Sequence, residues 1–331
     1  VPAVDGRAGR RLSDNPAMNL LASMRYLVAL SEHQHFGRAA QACHITQPAL
    51  SNALKALEEE FQVVIVKRAR NYAGLTPEGE RVLATAQRML HEHTLLQQEL
   101  GSEANRPRGS LRMGAVPTAM PVLARFAARL QARHPGVVPV VLSLSSAELE
   151  AGLERLSIDL ALGYTERMQH HGGTLQALPQ YTEHYFLLRR AATPHASALQ
   201  IGAPVRWKDI GELPLAMLTP DMHNRTIVDS AFVTAGARVR PALETNSILA
   251  LALSVVAGQV CTVMPGALVS AVRGYRELEA LPLVEPEVHT PIGFMTPASV
   301  RPSRALEAGL EMAADTAWLR EDPAHAGLLS I

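Results

Sequence analysis

The polar and apolar positions of residues 18–104 recur with a helical period that is interrupted by short polar breaks. Leu20–Leu30 repeats apolar residues every three or four positions, which predicts a first helix. His35 and Phe36 open a short Ala-rich helix, Phe36–Cys43, and His44-Ile45-Thr46 reads as a turn. Thr46 is a good N-cap. Pro48 sits just inside the next helix, where the first N–H groups lack helical partners and proline costs little. That helix continues through Ala49–Glu60. Two short helices joined so tightly predict a helix-turn-helix. The pattern then switches to β-branched Val63–Val66, followed by basic residues and a return at Leu75-Thr76, which predicts a two-stranded wing.

Thr76-Pro77-Glu78 predicts another helix start, with a threonine cap, proline in the first turn and acids near the positive end of the dipole. The helix is expected to run to about Glu103. Val82, Ala86, Met89, His93, Leu96 and Leu100 form a seam spaced for a coiled coil, so pairing with a second chain is expected over packing on the helix's own domain. Ala104–Ser110 reads as a linker. Strands then alternate with helices: strands Leu111–Val116, Val137–Leu144, Ile158–Gly163, His184–Arg189, Pro214–Leu218, Val260–Met264 and Pro291–Met295, and helices Ala119–His134, Ala147–Leu156, Arg225–Ala235, Ser247–Ala257 and Pro302–Leu319. This alternation predicts a mainly parallel α/β sheet.

On the helix after Thr46, Leu50, Ala53, Leu54 and Leu57 share one face. Pro48, Ser51, Asn52 and Lys55 occupy the other, beside Thr46 and Gln47. Gln and Asn can pair with adenine edges, Ser can donate or accept, and proline can meet a thymine methyl. Lys55, Arg68 and Arg70 suit phosphates. Glu58, Glu59 and Glu60 would repel DNA and are expected to point toward the wing or solvent.

Composition narrows this picture. The chain has 331 residues, enough for two or three domains, and 47% are apolar, so it is globular. Its 31 basic and 31 acidic residues balance, so DNA affinity must come from a local surface and not from bulk charge. No apolar run reaches the roughly 18–20 residues of a membrane span. Residues 1–17 have no apolar stretch typical of a secretory signal and are expected to be a disordered extension. Cys43 and Cys261 are far apart in apolar surroundings, which suits a reducing cytoplasm and buried thiols. His91 and His93 point to different helix faces and make no zinc motif, and His170-His171 reads as a solvated loop, so no metal and no cofactor are expected. A Schiff-base enzyme would need a lysine outside the first quarter. The only one is Lys208, in a surface-like loop, so the chain is not expected to be an enzyme.

Four stretches, Phe36-Gly37-Arg38-Ala39-Ala40, Ile45-Thr46-Gln47-Pro48-Ala49-Leu50-Ser51, Leu54-Lys55-Ala56-Leu57-Glu58 and Leu75-Thr76-Pro77-Glu78-Gly79, resemble the N-terminal signature of LysR-type transcriptional regulators. Phe61-Gln62 stands where that family usually has Leu-Gly, Val66 replaces its usual Phe, and Asn52 stands where Arg is frequent. The resemblance implies an α+β multidomain chain. Residues 18–76 would be a winged helix-turn-helix, 77–104 a linker and dimerisation helix, 105–110 a hinge and 111–322 an effector-binding domain. That last domain would resemble a periplasmic binding protein, with lobe I at 111–181 and 266–322 and lobe II at 182–265. It also implies dimers that pair into tetramers on a palindromic promoter site in double-stranded DNA.

An effector site is expected beyond the carboxyl ends of the strands, between the lobes. Thr118, Ser145, Ser146, Thr219, His223, Asn224 and Ser247 lie at such ends. Thr118 and Ser146 match positions where family members often bind effectors. Each residue alone is an ordinary cap candidate. Together they favour a small anion such as a carboxylate. Thiol redox sensing through Cys261 and ligand-independent DNA binding are the alternatives.

Overall fold

In a computed structural model the described residues are 19–67, 72–101, 106–170 and 172–320. The chain divides at Thr94/Leu95 into two compact units.

The first unit contains helices α1 (Leu20–His33), α2 (Phe36–Ala42) and α3 (Gln47–Phe61) and the start of α4 (Pro77–Gly101). Asn19, His35 and Thr46 cap α1, α2 and α3 through their side chains. Leu27, Leu30, Ala39, Leu50, Leu54, Leu57, Ile65 and Leu75 form one core. The wing is slighter than its β-branched run suggests. Val66 and Leu75 make an isolated antiparallel bridge, and Lys67 N–H donates to the Gly74 carbonyl. Arg68 and Arg70 lie outside the described residues. At the start of α4 the Thr76 hydroxyl accepts from Gly79 N–H at 2.9 Å. A Cβ at Gly79 would collide with the Ile65 carbonyl, so glycine lets α4 settle on the wing strand. Leu83 and Ala86 are buried in consequence. The N-terminal part of the expected seam therefore packs within its own unit, while Met89, Leu96 and Leu100 stay exposed.

The second unit builds two sheets. The first comprises β1 (Gly109–Ala115), β2 (Val137–Ser143), β3 (Leu160–Tyr164), β4 (Leu175–Glu183) and β12 (Thr290–Pro297), in the order β2-β1-β3-β12-β4. Helices α5 (Met120–Arg133) and α6 (Ser146–Glu154) connect its early strands, and α10 (Arg304–Ala313) and α11 (Thr316–Leu319) close it. Phe126 centres its core, 4.6 Å from Phe294 and 5.1 Å from Trp318 between ring centroids. The buried Gln180 accepts from the Trp318 indole at 2.7 Å and donates to the Ala313 carbonyl at 3.1 Å, so its polar side chain is satisfied and ties the last helices to β4.

The second sheet comprises β5 (Tyr185–Arg190), β6 (Gln200–Ile201), β7 (Val205–Arg206), β8 (Leu215–Leu218), β9 (Leu243–Thr245), β10 (Cys261–Pro265) and β11 (Leu278–Val284), with α7 (His223–Thr234), α8 (Ile248–Ala257) and α9 (Gly266–Ala271). Its order is β6-β11-β5-β10-β8-β9, with β7 against β11. Apolar clusters cover both faces.

The sheets keep the mainly parallel pairing expected and add antiparallel strands to it. Pairing is parallel at β1-β2, β1-β3, β6-β11, β7-β11, β8-β9 and β8-β10, and antiparallel wherever β4, β5 or β12 takes part. β11 pairs with β5, so the chain returns to the first lobe after Val284 and not at 266. The first lobe thus holds residues 109–183 and 290–320, and the second holds 184–284. The single helix expected over Pro302–Leu319 is two helices, because Asp315 caps a new start, accepting from Ala317 N–H at 2.9 Å.

Candidate functional site

Helix α3 presents one face to water. Leu50, Leu54 and Leu57 are buried, and Thr46, Gln47, Pro48, Ser51, Asn52 and Lys55 are all exposed. The Thr46 hydroxyl accepts from Ala49 N–H at 3.4 Å, which starts the helix just before the polar stripe. The Lys55 ammonium lies 3.9 Å from Glu59, an exposed pair that exchanges readily with water or with another anion. Glu58 turns to the wing and accepts from Ile65 and Val66 N–H at 2.8 and 3.1 Å, while Glu59 and Glu60 are exposed. The triplet is therefore divided between a structural carboxylate and two solvated ones.

In the second unit the carboxyl ends of the strands carry the other predicted set. Thr118 follows β1 in a short 3-10 turn, is 1% exposed, and its hydroxyl is 3.0 Å from the Tyr164 hydroxyl. Ser145 is committed to a capping box with Glu148. The buried Ser146 hydroxyl has no hydrogen-bond partner, and neither has that of Thr219 at the end of β8. His223 opens α7 with its ring 4.9 Å from that of Tyr164 and its Nε2 3.5 Å from Glu166. Burial lowers its basicity below that of a free histidine, and Glu166 only partly offsets this. Asn224 is buried and donates to the Tyr185 hydroxyl at 3.4 Å. Ser247 caps α8, accepting from Ala250 N–H at 3.3 Å.

The positions of His223 and Asn224 are set by Arg225. Its guanidinium donates to the Leu218 carbonyl at 2.6 Å, to Glu244 at 2.7 Å and to Asp229 at 2.9 Å, pinning the start of α7 against β8 and β9.

These residues meet a polar seam where the lobes join, which the strand-end reading missed. Tyr185 reaches Thr290 at 3.2 Å, so Asn224 and Tyr185 of the second lobe connect to the strand that re-enters the first. Glu183, the last residue of β4, is fully buried. Burial raises its carboxyl from 4.5 to about 8, and the Tyr181 hydroxyl beside it pulls the other way. Glu183 is therefore largely protonated at neutral pH. The visible signal was Tyr181-Thr182-Glu183-His184-Tyr185, aromatic and ionisable groups inside an apolar run.

A cavity of about 550 Å³ opens on one flank of the same junction. Pro117, Met120 and Ser143 line it from the first lobe, and Asn246, Leu253 and Leu268 from the second. Ser247 also lines it, and the other six predicted effector residues do not. Among the described residues no group of three or more His, Cys, Asp or Glu is placed to hold a metal, and no helix is long and apolar enough to cross a membrane.

Comparison with known proteins agrees with this division. Residues 21–80 match the family model described as bacterial regulatory helix-turn-helix protein, lysR family, and residues 104–318 match the LysR substrate binding domain. The DNA-binding transcriptional dual regulator OxyR of Escherichia coli K12 is 26% identical across 91% of this chain and 96% of its own length. The structure of full-length OxyR from Pseudomonas aeruginosa superposes with a TM-score of 0.65 at 24% identity, covering 89% of this chain and 97% of that one. Full-length CbnR complexed with its target DNA gives 0.60 at 20% identity, covering 91% and 99%.

Proposed function

The chain belongs to the LysR family of DNA-binding transcription regulators with an effector-binding domain, and on that premise we propose that the exposed face of α3 reads a palindromic promoter site under the control of a small effector held between the two lobes. The burial of Leu50, Leu54 and Leu57 carries the reading, because it leaves Gln47, Pro48, Ser51 and Asn52 as the groups offered to base edges. Lys55 and Thr46 hold phosphates, and Arg68 and Arg70, which lie outside the described residues, are candidates for the same role from the sequence alone. Footprinting and gel shifts with the full chain test this. Gln47→Ala or Asn52→Ala costs about 1–3 kcal/mol and relaxes base preference at one position. Lys55→Ala weakens all sequences alike and lowers the salt slope by about 0.9. Unchanged affinity in all three variants removes the face.

The exposed apolar groups Met89, Leu96 and Leu100 on α4 suit pairing with a second copy, and two such dimers would form the tetramer. A DNA partner is in keeping with a cytoplasmic protein.

The effector is a small anion at the strand ends. Its support is the pair of buried hydroxyls without partners, Ser146 and Thr219, which a ligand would satisfy. Calorimetric titration of candidate carboxylates against wild type, Thr118→Val and Ser146→Ala tests it, and equal affinity in all three removes these residues.

A second reading is peroxide sensing through Cys261, favoured by relatives named as hydrogen peroxide-inducible genes activators. The local chemistry weighs against it. Burial raises the Cys261 thiol, with Arg189 only partly opposing, so little reactive thiolate forms. A footprint that shifts with peroxide in wild type but not in Cys261→Ser would establish this second reading.

A further inference from the structure

We propose that Glu183 makes the junction of the two lobes sensitive to pH: its protonated carboxyl keeps the lobes joined, and loss of the proton lets them part. The inference concerns protons alone and is independent of the effector. Glu183 ends β4, and His184 is the single residue between it and β5, so the acid sits where the chain leaves the first lobe for the second. It is fully buried, and so are the phenols that bear on it, Tyr164 and Tyr181 from the first lobe and Tyr185 from the second. Contacts between the lobes run through the same group. Tyr185 meets Thr290 at 3.2 Å, and His223 lies with its ring 4.9 Å from that of Tyr164 and its Nε2 3.5 Å from Glu166.

An ionised carboxylate has little to hold it there. Neither carboxyl oxygen makes a hydrogen bond of good geometry, although the Tyr181 hydroxyl lies beside it. Arg125 of α5 bears on Tyr181, but among the described residues no cation offsets Glu183. Glu166, in the turn after β3, adds a second acid near Tyr164 and Tyr185. A group whose charge is unpaired and out of water takes up a proton or regains its water. Parting the lobes at this point admits water, so ionisation favours the parted form and protonation the joined one. The joined form holds the carboxyl near 8, and wetting returns it to its ordinary 4.5. The ratio of joined to parted lobes therefore falls about tenfold per pH unit between those values and is steady outside them. Above 6.5 the phenols and His223 keep one state, because burial raises all three phenols and lowers His223. His184 and His289 face each other beside the crossover with ring centroids 4.7 Å apart, and Glu287 lies 3.3 Å from His289. A variant at Glu183 leaves that group in place.

The test measures the distance between the lobes in the full chain. Spin labels on Ala147→Cys of α6 and Thr226→Cys of α7, both exposed, put one probe on each lobe, with Cys43→Ser and Cys261→Ser removing the native thiols. Mixing with an excess of unlabelled chain confines the measured distances to single chains. Between pH 6.5 and 9 the short-distance population is expected to fall about tenfold or more relative to the long one. Glu183→Gln has no proton to release and should keep the short distance throughout. Tyr181→Phe removes the hydroxyl that eases ionisation, so it should move the transition to higher pH, and it serves as the deciding variant if Glu183→Gln does not fold. A wild-type distance that ignores pH overturns the proposal. So does an equal change in Glu183→Gln, or a transition that stays in place in Tyr181→Phe. A lengthening that coincides with loss of helical circular dichroism would mark general unfolding, and it too overturns the proposal.

Discussion

Glu183 shows what a single buried acid does to the whole domain. Its carboxyl titrates near 4.5 in an unfolded chain and near 8 in the fold. Between those values the folded chain keeps a proton that the unfolded chain has released. Stability is therefore fully present below about 4.5 and falls as pH rises through about 8. Glu183→Gln has no proton to lose, so its urea midpoint should change less than wild type across that window and exceed it on the alkaline side. Parallel curves would show that Glu183 is not the titrating group. The inward leucines of α3 could be read from spacing, since three- and four-residue intervals dictate one face. Tyr164 and Tyr185 could not. Their partners are 39 to 105 residues away, as in Asn224–Tyr185 and Tyr185–Thr290, and no local pattern encodes such separations.

At the scale of the element, helix ends were more legible than sheet order. Thr46, Ser247 and Asp315 all cap through their side chains, and the first two were readable from the chain as starts. The strand β11 was missed because Leu278–Val284 has Pro282 near its end and no clean alternation, so its membership depends on pairing with β5. The departure at Phe61-Gln62 has a structural outcome. Gln62 ends α3 in the left-handed region at φ 54°, where a side chain is disfavoured and glycine is at ease. Gln62→Gly is expected to stabilise this turn by up to about 1 kcal/mol, after allowing for the extra freedom of glycine in the unfolded chain. Slower hydrogen exchange at Val63 N–H, which closes the turn on the Glu58 carbonyl at 3.1 Å, would register the gain. Faster exchange would show that the glutamine side chain holds the turn.

The whole molecule depends on surfaces one chain leaves open. Leu96 and Leu100 are 53% and 79% exposed on α4. Leu96→Glu should move the protein toward the monomer in sedimentation velocity and weaken operator binding, with little change in the fold of either unit. An unaltered sedimentation coefficient would place the pairing surface elsewhere. The sheet order has another consequence, for the time course of synthesis. β12 sits between β3 and β4, yet it is made more than a hundred residues after both. The second lobe is an uninterrupted stretch and can fold while the ribosome is still working. The first lobe must wait with two strand edges uncovered until residues 290–297 emerge. Chains released at Val284 should therefore be recovered largely in aggregates, whereas chains released after Leu319 should not.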